Sequence, residues 1–177
     1  IPRIINYNPA NHFDFKYNYL IKPSVNFQNY KSYVAVTYKT ETSINKSIPF
    51  NLLKNLFIKK KETKFLILQN SLNENEKSFF SKFKNVSYVS NLDKNFIFED
   101  TFNIINSVKF VISIDTAVTH IAGYLGKRNY LLLMHPSSFY WGYDKSVSSD
   151  YPKHIIIRQE ETGEWEGVIS KLIVLTN

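Results

Sequence analysis

From Tyr33 onward the chain alternates short apolar runs with stretches of helical period. Tyr33 to Tyr38 reads as a strand from its β-branched and aromatic content. After the polar loop Thr40 to Ser47, the sequence predicts a helix through Leu52, Leu53 and Leu56. Ser47 is its expected N-cap and Pro49 stands near its first turn. Phe65 to Leu68 is a short apolar strand, Glu74 to Phe83 a helix with Phe79, Phe80 and Phe83 on one face, and Val86 to Val89 a third strand. Asp100 to Val108 is a helix, Phe110 to Ile114 a strand, and Thr116 to Leu125 a helix with Gly126 placed to end it in the left-handed region. Tyr130 to Met134 and His154 to Ile157 are the last strands, and the final helix runs from near Glu164 to near Leu175.

Short, continuously apolar strands imply burial on both faces of a sheet. Alternation of such strands with helices is the pattern of a doubly wound, Rossmann-like α/β domain, here with about six parallel strands. Residues 1–32, rich in Pro, Asn and aromatics and without a clean period, read as an extended lead-in, and 33–177 as the domain. In such folds ligands bind beyond the carboxyl ends of the strands. The loops that qualify are Lys39–Ser47, Gln69–Asn73, Leu92–Asp100 and Asp115–Ala117.

The 177 residues suffice for one domain with a real core. A hydrophobic fraction of 44% excludes a disordered chain. No apolar run approaches the roughly 20 residues of a membrane span. No signal segment is visible, so the expected location is cytoplasmic, with the inner membrane face as a variant. Ile1 in place of Met makes the chain read as part of a longer protein. The absence of Cys excludes disulfides and Cys-ligated metals. The net charge of +7 raises nucleic-acid binding as a class. The excess is mostly Lys, scattered and accompanied by many Asn, Ile, Phe and Tyr, with guanidinium only at Arg3, Arg128 and Arg158. That reads as compositional bias, and nucleic acid is not an expected partner.

The turn at Asp115 carries the most chemical information. A buried strand ends there and a helix begins at once. The first amides of that helix lack internal partners and have the positive end of the helix dipole behind them, which suits phosphate. Thr116 adds a hydroxyl, Ala117 an amide, and His120 shares the helix face of Thr116. The bland alternatives are a capping Asp115 and a core His120. Lys46 is a natural counter-charge for a diphosphate, or else a solvated loop lysine. The long segment His135 to Pro152 carries Phe139, Tyr140, Trp141 and Tyr143, which either stack on a ligand or pack the loop down. Neither a GxGxxG nor a GxxxxGK[ST] motif is present.

The stretch Val111 to Leu133, VISIDTAVTHIAGYLGKRNYLLL, resembles glycosyltransferase family 9, which includes the heptosyltransferases. The likeness is closest to the branch often fused to tetratricopeptide repeats. It rests on Asp115, Thr116, Ala117, Val118, His120, Ala122, Gly123, Leu125, Gly126 and Lys127. Lys46-Ser47-Ile48-Pro49 and Gln69 upstream, and Trp141, Tyr151-Pro152, Arg158-Gln159, Gly163 and Trp165 downstream, follow the family's order. The chain departs from the family at Ala117, where heptosyltransferases have Gly. It departs again at Tyr38, Lys39 and Thr40, where the branch has Trp, Gly and Asn.

The resemblance implies the C-terminal half of a GT-B glycosyltransferase, binding a nucleoside-diphosphate sugar without metal or cofactor. It implies a binding set of Lys46, Ser47, Gln69, Asp115, Thr116, Ala117, His120 and Trp141. The catalytic residues would lie in an N-terminal GT-B domain, outside this chain. The alternative is a non-catalytic nucleotide-sugar-binding module.

Overall fold

The computed structural model describes residues 30–41, 43–89, 98–143 and 146–176. Most of the expected lead-in and residues 92–97 of one candidate loop lie outside them. The strands are β1 (Tyr33–Val36), β2 (Lys64–Ile67), β3 (Val86–Tyr88), β4 (Phe110–Ile114), β5 (Asn129–Leu133) and β6 (His154–Arg158). The helices are α1 (Leu53–Lys59), α2 (Glu74–Phe80), α3 (Glu99–Ser107), α4 (Ala117–Tyr124) and α5 (Glu166–Leu175). All six strands pair in parallel in the order β3-β2-β1-β4-β5-β6. This is the doubly wound α/β arrangement, and its strand order reverses between β1 and β4.

The pleat divides the apolar residues between the two faces of the sheet. Val34, Val36, Phe65, Ile67, Ile112, Ile114, Tyr130 and Leu132 face one way, where Leu53, Leu56 and Phe57 of α1, Phe80 of α2, and Val168, Ile169 and Leu172 of α5 cover them. Ala35, Leu66, Leu68 and Val111 face the other way, under Ile104 and Ile105 of α3 and Ala122 of α4. Strands buried on both faces explain why their sequences read as continuous apolar runs rather than alternating ones.

Local chemistry sets the element ends. Asn73 and Glu76 form a reciprocal capping box at the start of α2: the Asn73 side chain accepts from the Glu76 amide at 2.9 Å, and Glu76 Oε2 accepts from the Asn73 amide at 2.8 Å. Helix α4 ends at Gly126, whose φ of +58° is the left-handed conformation a terminating glycine supplies. Its neighbour Lys127 donates its backbone N–H to the Ala122 carbonyl at 2.8 Å.

One end assignment from the sequence needs correction, and one alternative left open is decided. Ser47 does not cap a helix. It closes a loop instead, its hydroxyl accepting from the Thr40 amide at 3.0 Å, and a 3-10 turn at Phe50–Leu52 precedes α1. The spacing of Ser47 from the apolar run fits a cap, but its oxygen is already engaged across the loop. Of the two alternatives for Asp115, capping is not the one adopted: Asp115 is not the cap of α4. Thr116 holds that position in extended conformation (φ −143°), and its side chain makes no capping hydrogen bond.

Candidate active site

The site lies where β1 and β4 lie side by side and their following loops diverge. The loop after β1 is drawn closed by the Ile48 amide, which donates to the Tyr38 carbonyl at 2.7 Å. With the Thr40–Ser47 bond, this sets the 3-10 turn Ile44–Lys46 over the crevice. Lys46 and Asp115, 69 residues apart in sequence, meet there: Lys46 Nζ donates to Asp115 Oδ2 at 2.8 Å. The other carboxylate oxygen, Oδ1, accepts from Trp141 Nε1 at 3.0 Å. Both oxygens of Asp115 are therefore engaged from two different loops.

Trp141 is buried, and Arg158 at the end of β6 holds its loop down. The Arg158 guanidinium donates to the Trp141 and Gly142 carbonyls at 2.8 and 2.7 Å and also to the Ser137 hydroxyl. Among the described loop aromatics, Trp141 thus packs inward, while Phe139, Tyr140 and Tyr143 are exposed. His120 is exposed, not a core residue. Its ring stacks on Trp141 with centroids 5.4 Å apart at 26° and meets Tyr140 and Tyr151 edge-on, and its Nδ1 lies 3.2 Å from the Tyr151 hydroxyl.

Beneath the β4–α4 turn lies a buried polar network that the sequence reading did not single out. The Ser113 hydroxyl donates to Asn129 Oδ1 at 3.0 Å and lies 2.8 Å from the Thr119 hydroxyl, which donates to the Ile114 carbonyl at 2.7 Å. His154, fully buried, has Nε2 3.0 Å from the Thr119 carbonyl. A carbonyl only accepts, so Nε2 carries the proton. Burial pushes the His154 pKa down to about 4, against the pull of the Thr119 bond and helped by nearby His120, so the ring is neutral at pH 7. The one sequence signal for this network is a lone polar residue beside or within an apolar run: Ser113 in FVISI, Asn129 before YLLL, His154 before III.

A second cluster stands at the end of β1. Buried Glu76 accepts from the Tyr38 hydroxyl at 2.6 Å and from Lys39 Nζ at 2.8 and 2.7 Å. Burial pushes the Glu76 pKa up, but the bonds from Lys39, Tyr38 and the Asn73 amide outweigh it and hold the carboxyl below its ordinary value. Burial, with the adjacent Glu76, pushes the Tyr38 hydroxyl far up. Gln69 joins this corner rather than the Asp115 turn, its Nε2 donating to the Lys39 carbonyl at 3.0 Å.

Of the residues singled out from sequence, the structure brings Lys46, Asp115, Thr116, Ala117, His120 and Trp141 to one end of the sheet around one turn. Ser47 acts on loop shape and Gln69 lies to the side. A small crevice of about 30 Å³ lies between Lys46, Asp115, Met134, Pro136 and Ser138. A larger groove of about 700 Å³ runs along β6 and α5, lined chiefly by apolar surface. Lys46 and Asp115 line the small crevice and not that groove. Among the described residues no three His, Cys, Asp or Glu side chains converge to hold a metal, and no helix is long and apolar enough to cross a membrane.

No protein-family model matches the chain. No curated protein matches it either. Solved structures do. The heptosyltransferase WaaC of E. coli with ADP superposes with a TM-score of 0.63 at 16% identity, over 83% of this chain and 45% of that one. The same enzyme with ADP-2-deoxy-2-fluoro heptose gives 0.60 at 16% identity, over 84% and 44%. The ADP-heptose heptosyltransferase II of E. coli gives 0.52 at 14% identity, over 84% and 48%. The chain shares the Rossmann-like fold found in these GT-B glycosyltransferases and spans less than half the length of each.

Proposed function

We propose that residues 33–177 form the C-terminal, donor-binding domain of a heptosyltransferase-like GT-B glycosyltransferase of the tetratricopeptide-associated branch, working on the cytoplasmic side. The observation that carries this reading is the meeting of Lys46 and the Asp115-Thr116 turn at the point where strand order reverses. In this reading the donor is a nucleoside-diphosphate sugar. The uncapped first amides of α4, at Thr116 and Ala117, take the diphosphate, and Lys46 supplies the cation. Stabilising charge on the departing β-phosphate is the domain's part in catalysis. His120 and Trp141 form the aromatic wall beside the sugar or base, Asp115 faces the sugar, and Ser47 and Gln69 support the loops. Donor binding of this kind requires neither metal nor cofactor.

Acceptor and general base belong, in this proposal, to an N-terminal GT-B domain. Positioning an acceptor accounts for about 7–11 kcal/mol of barrier lowering and a general base for about 10²–10⁴-fold in rate, and both come from across the cleft. The 177-residue chain is expected to bind ADP, UDP or GDP by calorimetry at low salt and to transfer no sugar. A version extended upstream of Ile1 is expected to release nucleoside diphosphate from a nucleotide sugar when acceptor is present. Acceptor-dependent turnover by the 177-residue chain alone would refute the division of labour, and His120→Ala would then be the first variant to make.

A second reading, a binding module without transfer, draws on the corner at Lys39. That lysine stands where the branch usually has Gly and is tied into Glu76 rather than left open to a ligand. Failure of the upstream-extended protein to turn over any nucleotide sugar it binds would favour this reading.

A further inference from the structure

The cation of the proposed donor site is already engaged. Lys46, the cation assigned to the diphosphate, is paired with Asp115 at 2.8 Å. Lys39, the other lysine near the end of β1, is tied to Glu76. We infer that the Lys46–Asp115 pair is a latch: a nucleoside diphosphate gains Lys46 only by drawing it off Asp115, and Asp115 thereby sets how tightly the site takes an anion. The inference rests on the donor-site reading above.

The two lysine pairs differ in the ways a latch requires. Glu76 is 4% exposed and is also held by Tyr38 and by the capping box, so parting it from Lys39 would leave a buried charge with fewer partners. In the Lys46–Asp115 pair the side chains are 34% and 18% exposed. Lys46 sits at the end of a three-residue 3-10 turn with no residue of the turn buried, so its ammonium can move without disturbing the core. Asp115 keeps the Trp141 indole bond when Lys46 leaves, so its carboxylate stays hydrogen-bonded in the open state. Partly exposed pairs contribute little net stability, which makes the exchange of one anion for another a low-cost step. Opening is therefore a lysine swing, with the Arg158-clamped loop and α4 left in place.

A thermodynamic cycle on this chain tests the latch. ADP affinity is measured by calorimetry at low salt for the unaltered chain, Asp115→Asn, Lys46→Gln and the double variant, with thermal melting as the folding control. Asn is isosteric with Asp and keeps an oxygen for the Trp141 indole. Asp115→Ser repeats the test with a different replacement, should the Asn form fold poorly. The latch predicts that Asp115→Asn tightens ADP binding by about threefold or more, within the range of partly exposed ion pairs. It also predicts that the same change has little effect once Lys46 is Gln. ADP lacks the sugar that would be transferred, which keeps any contact of Asp115 with that sugar out of the result. Equal gains in both backgrounds would mean plain repulsion between Asp115 and phosphate and would overturn the latch while leaving the donor site standing. Unchanged or weaker ADP binding by Asp115→Asn would overturn it as well. If no variant binds ADP, UDP or GDP at millimolar concentration, the donor-site reading falls and takes the latch with it.

Discussion

The two flanks of the sheet are held by different chemistry. Around β1, β2 and β3 the core is phenylalanine on phenylalanine: Phe57 meets Phe65, Phe80 and Phe83 at centroid distances of 5.2, 6.1 and 5.3 Å, and Phe79 and Phe80 extend the cluster to Phe50. Around β4, β5 and β6 the interior holds Ser113, Thr119, Asn129 and His154, joined by hydrogen bonds beneath the crevice. Apolar packing tolerates exchange among residues of similar volume. A buried polar network tolerates little, because each lost partner leaves another group unsatisfied. The flank that carries most of the candidate site is thus the one whose interior depends on residue identity.

The largest effect is expected on the apolar flank. Phe57→Ala should cost about 3–5 kcal/mol by chemical denaturation, the usual range for removing a buried aromatic ring. A cost near ~1 kcal/mol would mean that the ring cluster collapses into the gap, and the contrast between the flanks would weaken.

His154 gives the polar flank a pH signature. Its folded pKa of about 4 lies below the unfolded value near 6.5. Above pH 6.5 neither state takes the proton, and the stability is complete. As pH falls from about 6.5 towards 4, the unfolded chain is protonated first, and up to about 3 kcal/mol is lost. His154→Gln should flatten the stability profile across that window. A profile as steep as that of the unaltered chain would assign the slope to another group.

Glu76 is the polar exception on the apolar flank. Glu76→Gln should cost about 1–3 kcal/mol, the range for disturbing a buried hydrogen-bonded charge. Because the folded pKa of Glu76 is lowered, the stability it contributes is present above the unfolded carboxyl value. It is lost as pH falls through the folded one, a window below that of His154. The Gln variant should therefore change the acid limb of the profile and leave the region between about pH 6.5 and 5 alone.

Trp141→Phe should have the smallest effect. It keeps most of the buried ring and removes the indole bond to Asp115, for about 0.5–1.5 kcal/mol. Little change in melting temperature together with altered ADP affinity would separate the role of Trp141 at the site from its role in packing.

The apolar flank was largely legible in the sequence. FLIL, FVISI and the Phe79–Phe83 spacing announce strands and a helix face, because burial writes itself into period and composition. Asp115 and Thr116 were legible too, through a strand that ends where a helix begins. Their partners were harder to read. Nothing local says that Lys46 reaches Asp115, since the two meet only through the adjacency of β1 and β4. Ser47 misled because an N-cap and a loop-closing hydroxyl look alike in one dimension. His154 hid because a histidine at a strand start has no periodic signature, and its role comes from Thr119 on the neighbouring helix.

The strand β6 lies at one edge of the sheet, and residues 146–148 run antiparallel to it. Ile156 N–H donates to the Ser146 carbonyl at 2.7 Å, and Val147 bridges to Ile155. An open edge of apolar sequence such as Ile155-Ile156-Ile157 is a template on which a second chain can add a strand and start aggregation. This short strap occupies part of that template. Substituting Pro at Ser148 would remove the amide that donates to the His154 carbonyl at 3.4 Å, and the first symptom expected is precipitation on concentration.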